Sequence, residues 1–186
     1  MYLRLKRLLV RFGRSRRGVA VVEFALIMPV LLTLYFGTIE AASLYSVDRR
    51  VAAVAGTMGD LVSRTNGTLP AATLTQYFSA ASGVMLPYPT TALTQVVSVI
   101  AVSSTGVATV YWSRAYNGAT PRVANAAFPL AATTQINQVA RGSYLVVSEI
   151  VYPYKPVYGV VIPNTINLSH IEYFVPRFAA KIDIGS

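Results

Sequence analysis

The stretch that most constrains this chain runs from Gly18 to Val47, GVAVVEFALIMPVLLTLYFGTIEAASLYSV, because a segment so apolar must be covered by lipid or by protein. Its longest uncharged part, Phe24 to Ile39, has sixteen residues and would make about 24 Å of helix. That falls short of the ~30 Å hydrocarbon core of a bilayer. Starting at Val19 instead gives about 31 Å, which spans. A spanning helix therefore carries Glu23 within or at the edge of the apolar layer, where a carboxylate costs roughly 2.5–3.5 kcal/mol and less near an interface. Either Glu23 turns back to the headgroups or it has a partner to be named. Glu40, at the far end, reads as interfacial.

Charge orients the segment. The net charge of +9 would suggest a nucleic-acid partner if it were spread over a folded face. It is concentrated instead: Arg4, Lys6, Arg7, Arg11, Arg14, Arg16 and Arg17 precede the apolar stretch with no acid among them. The rest of the chain holds the other nine bases and all seven acids, a net of only +2. Nucleic-acid binding is not expected. Positive flanks stay in the cytoplasm, and the cluster after the helix, Asp48, Arg49 and Arg50, is weaker and mixed. The expected topology is N-terminus in and bulk out. A cleaved secretory signal is the competing reading, with small residues at Ala41-Ala42-Ser43, but Glu40 makes a poor cleavage region.

Arg16-Arg17-Gly18 followed by Val19-Ala20-Val21-Val22-Glu23-Phe24 resembles the processing site of a prepilin-type protein. The continuation EFALIMPVLLTLYFGTIEAA is similar to the TadE-like family, minor pseudopilins of the tight-adherence (Tad, or Flp) type IV pilus assembly system. The resemblance is close over residues 16 to 42. It implies cutting by a prepilin peptidase between Gly18 and Val19, which leaves Glu23 fifth in the mature chain. It also implies that Glu23, beside Phe24, pairs with the new α-amine of Val19 and sets the stagger between assembled subunits. The implied partners are the major Flp-type pilin, other minor pseudopilins and the inner-membrane platform of the pilus machine, besides membrane lipid. The implied location is the bacterial inner membrane, single-pass, N-terminus cytoplasmic and C-terminal domain periplasmic, with incorporation in the pilus left open. Pro29 removes a helical hydrogen bond and crowds the carbonyl of Ala25, so a kink is expected there.

Beyond the apolar stretch the helix is expected to continue. Val47, Val51, Val54, Met58, Leu61 and Val62 lie on one face at helical period, and Thr65-Asn66-Gly67 is a stop. A second helix is expected over Ala71–Ser82, with Leu74, Tyr77, Phe78 and Ala81 on one side. Pro87 and Pro89 predict an extended connection. Val96–Ser103 and Val107–Ser113, joined around Gly106, read as a hairpin. Residues 117–138 read as a long loop with a helical turn near 131–139. Ser143–Tyr152 reads as a strand closed by Pro153, and a last strand is expected around Ile171–Val175. The predicted fold class is α+β, a long N-terminal helix packed on a small antiparallel sheet. The expected organisation is a basic leader over 1–18, a transmembrane helix over 19–47 and an extracytoplasmic domain over 48–186 that includes the helix to about residue 64.

Material for catalysis is scarce. There is no cysteine, which excludes disulfides, thiolate metal sites and a cysteine nucleophile. The single histidine, His170, stands two residues from Glu172, and a surface histidine is the plainer reading than a metal or acid–base pair. Glu149 lies in an apolar strand whose alternation puts it on the solvated face. No Gly-x-Ser-x-Gly elbow, phosphate loop or metal-ligand spacing occurs. No enzyme activity, cofactor or metal is expected. The late tyrosines Tyr152, Tyr154 and Tyr158 read either as an interaction surface or as ordinary strand residues. The function expected is that of a pseudopilin assembled through its N-terminal helix; the alternative is an unprocessed single-pass envelope protein whose outer domain binds a partner.

Overall fold

A computed structural model describes residues 16–130, 140–178 and 181–185. The first described element, α1, runs without a break from Arg16 to Ser63. Its composition changes halfway, and so does its environment. The chain divides accordingly into two compact units: one joins the helix up to Ser43 with Pro156–Asn164, and the other comprises Leu44–Lys155 and Thr165–Ser186.

In the second unit, α1 supplies the apolar face that its spacing predicts. Val47, Val51, Val54, Met58 and Val62 are fully buried, and Leu61 lies at the margin. Gly67, at φ +81°, takes the left-handed turn that reverses the chain. The short β1 (Thr68–Leu69) leads to α2 (Ala71–Gly83), which buries Leu74, Phe78 and Ala81. The two prolines that follow do not give an extended link: residues 84–87 form successive turns, and the Leu86–Pro87 bond is cis. Arg50 holds this turn from α1, donating to the carbonyls of Val84 at 3.1 Å and Leu86 at 2.5 Å.

Four antiparallel strands form the main sheet in the order β3-β2-β4-β5: β2 (Thr94–Val102), β3 (Ala108–Tyr116), β4 (Tyr144–Tyr154) and β5 (Ile166–Phe174). The sheet thus follows the expected α+β class. The hairpin β2/β3 turns at Gly106, φ +89°, and carries a register shift between Val99 and Ile100. One face, with Val97, Val99, Trp112, Val146 and Ile150, joins the cluster built on α1 and α2. The other face, with Ile100, Val110, Leu145 and Val147, is closed by Phe128 and Ala140 from the loop after β3. That loop also pairs with the edge of β3, Asn125 N–H donating to the carbonyl of Val110 at 2.7 Å. The helical turn expected near 131–139 lies outside the described residues.

Two strand limits differ from expectation. Pro153 does not close β4, which continues to Tyr154 with Pro153 opposite Asn167. The pairing with β2 has already ended at Val151, so the missing N–H falls where one side of β4 is open. The last long strand begins at Ile166, five residues before the expected start. A further strand, β6 (Asp183–Ile184), pairs in parallel with β1. It is locked by Trp112, whose indole N–H donates to the Ile182 carbonyl at 2.7 Å. The Tyr111 hydroxyl, then Lys181 at 2.9 Å, hold the Asp183 carboxyl below its ordinary range.

Candidate functional site

From Val19 to Tyr35 every residue of α1 is exposed, although the segment is almost wholly apolar. Val21 is 67% and Leu26 73% exposed. A soluble core helix would bury one face, and none of this apolar window is buried. Gly18, Val19, Glu23 and Phe24 all lie on this helix, with Val19, Glu23 and Phe24 exposed. Glu23 follows Val19 by four residues, one helical turn, so the two share a face about 6 Å apart along the axis. The Gly18–Val19 bond lies within α1, two residues after its first described residue. A Cβ added at Gly18 would meet nothing within 4 Å. The helix assignment continues through Pro29, and the hydroxyl of Thr33 donates to the Pro29 carbonyl at 2.8 Å.

The polar centre of this unit is a residue that sequence reasoning placed only at an interface. Glu40 is 1% exposed. Its carboxylate accepts three backbone N–H bonds, from Val160 at 2.7 Å, Val161 at 3.1 Å and Ile162 at 2.8 Å. Gly159, at φ +64°, makes the turn that points these successive amides one way. Alongside, the Tyr158 ring meets Phe36 at a centroid distance of 5.4 Å, and the Val161 side chain rests over Gly37. The partners are 120 residues apart in the chain, so no local spacing announces them. The one legible sign is the loop itself: GVVI between Pro156 and Pro163 is unusually apolar for a connection.

The other polar residues of interest pair structurally. His170, read from sequence as a surface histidine rather than a partner of Glu172, meets Asp48 of α1 at 2.8 Å. Glu149 faces away from the helices, but Arg122 covers it with two bonds of 2.6 Å while lying 4.6 Å over the Phe128 ring. Among the described residues, no group of three or more His, Cys, Asp or Glu side chains could hold a metal ion. Tyr152 and Tyr154 are buried core residues at 6% and 4% exposure, which removes them from any surface, whereas Tyr158 is exposed.

These features define a class: an α+β protein whose first helix is long, apolar and exposed in its first half, with one candidate membrane span. Residues 18–57 match the family model described as TadE-like protein, and the chain carries a TadE-like domain over that stretch. TadE-like proteins are a pilus-assembly family and are not known as enzymes. No curated protein and no solved structure matches the chain.

Proposed function

We propose that this protein is a minor pseudopilin of a Tad/Flp-type pilus, inserted N-terminus in, cut by a prepilin peptidase between Gly18 and Val19, and assembled through the first half of α1. The observation that carries the reading is the fully exposed apolar surface from Val19 to Tyr35, which begins at the residue following Gly18 and bears Glu23 one turn in. A surface of this kind is covered by lipid before assembly and by neighbouring helices afterwards. The cut would supply the positive charge that Glu23 lacks in a plain anchor, and Pro29 would give the helix its bend. It would also remove the seven-base leader that tethers the chain to the cytoplasmic leaflet. The outer domain would serve initiation or assembly, with the major pilin, other minor pseudopilins and the inner-membrane platform as partners.

The test is the mature N-terminus, read by intact mass from native membranes. A start at Val19, abolished by Gly18→Ala, is expected. An intact Met1 in wild-type material, or a start near Ser43, overturns the proposal; the former outcome returns the alternative of an unprocessed envelope protein.

A further inference from the structure

The loop between β4 and β5 presents a surface that water does not favour. Val157 is 82%, Tyr158 56%, Val160 54% and Val161 49% exposed, and no charged residue occurs between Lys155 and His170. Isolated exposed aliphatics are ordinary, but a contiguous run on one tip marks a surface made to be covered.

Its cover is indicated by where the loop is held. Tyr158 packs at Phe36 and the amides at Glu40, which are 17 and 21 residues beyond Val19, about 26 and 32 Å along the helix axis. If Val19 lies at one edge of a ~30 Å hydrocarbon layer, this is the depth of the other edge. The loop is also equipped for such a depth. Backbone that enters an apolar medium outside a helix or barrel must have its amides satisfied internally. Here the amides of Val160, Val161 and Ile162 are satisfied by a carboxylate that is itself withdrawn from solvent. A tyrosine at the level of the helix exit and a lysine just before the loop complete the pattern of a membrane-interface anchor.

We propose that residues 157–162 insert into the headgroup–acyl boundary of the distal leaflet and form a second membrane contact beside α1, with Glu40 as the positioning residue. The ligand is the lipid surface. The proposal rests on the membrane-span reading of α1, and its test separates the two.

The chain has no cysteine, so single cysteines can be introduced without background. Full-length protein carrying a polarity-sensitive fluorophore at Val157→Cys or Val160→Cys is reconstituted at high dilution in vesicles of phosphatidylethanolamine and phosphatidylglycerol. Quenching by brominated lipids is then measured. Leu31→Cys reports the span and Gln76→Cys, on exposed α2 surface, reports water. Quenching at the loop positions within about twofold of that at Leu31, together with a blue-shifted emission, is expected for an interfacial anchor. Adding Glu40→Gln should lower the loop quenching severalfold and leave Leu31 unchanged. Loop positions that behave like Gln76 while Leu31 is quenched overturn the inference and spare the span. Loss of quenching at Leu31 as well overturns both. A blue shift without lipid quenching means that protein covers the loop, which also overturns the inference.

Discussion

Two glycines on the inner half of α1 allow the packing of helix on sheet to be measured against helix propensity within one element. Gly56 has open space where a Cβ would stand, whereas a Cβ at Gly59 would overlap the Phe174 ring of β5 at Cδ2 and Cε2. In a helix interior, glycine to alanine is worth about 1 kcal/mol through backbone entropy alone. Gly56→Ala should therefore stabilise by up to about 1 kcal/mol. Gly59→Ala receives the same gain but forces Phe174 or the helix to move, and overpacking of this kind costs about 1–3 kcal/mol. The net effect expected at Gly59 is a loss of about 0–2 kcal/mol, and the two variants should differ by about 1–3 kcal/mol, or roughly 2–12 °C in Tm. The assay is urea unfolding of the full chain in detergent micelles, followed by the fluorescence of Trp112, the only tryptophan and a core residue of the same unit. Equal m-values are required for the comparison. Gly59→Ala combined with Phe174→Leu should recover part of the loss. If Gly59→Ala stabilises as much as Gly56→Ala, helix and sheet do not approach as closely as Gly59 and Phe174 indicate.

Two further outcomes are expected. Asp183 has its carboxyl held low by the Tyr111 hydroxyl and then by Lys181, so its contribution is present above the ordinary carboxylate pKa of 3.8 and is lost as pH falls through the lower folded value. Asp183→Asn should therefore reduce stability at neutral pH and flatten its decline below about pH 4, read by the same Trp112 signal; an unchanged acid profile would remove Asp183 from the lock on β6. Glu23→Ala should leave processing after Gly18 intact but lower pilus yield by tenfold or more, on the order of the loss of one charge-assisted pair, counted by electron microscopy; normal yield would leave Glu23 as a residue that only turns to the headgroups.

The helices were legible because each announces itself locally. The spacing of Val47, Val51, Val54, Met58 and Val62 can only be one face of a helix, and the β2/β3 hairpin follows from two β-branched runs around Gly106. What escaped depends on partners distant in sequence. Pro153 signals a strand end unless one knows that β2 has already stopped beside it. The early half of β5 was hidden because its inward positions alternate apolar Leu168 with polar His170 and Glu172, and His170 is met there by Asp48 of α1, far off in sequence. Strands β1 and β6 are two residues each and carry no pattern of their own. In the candidate site, Gly18, Glu23 and Phe24 could be named from adjacent residues, while the grip of Glu40 on Val160–Ile162 needs a turn made 120 residues later. A lone glutamate at the end of an apolar run looks the same whether it meets headgroups or amides.

The lock made by Trp112, Ile182 and β6 also sets an order of events. Ile182 is fully buried, and the Arg177 amide donates to the Ser63 carbonyl at the end of α1. The contacts that close this unit therefore join segments distant in sequence, 70 residues apart for Trp112 and Ile182 and more than a hundred for Ser63 and Arg177, and cannot form until the far segment has emerged. Contacts so distant in sequence pay their loop-closure entropy late, which slows completion of the fold. A chain whose core waits for its last strand remains threadable while it is being made. On the proposed N-terminus-in topology, export through a narrow channel would then compete with an unfinished domain rather than a finished one.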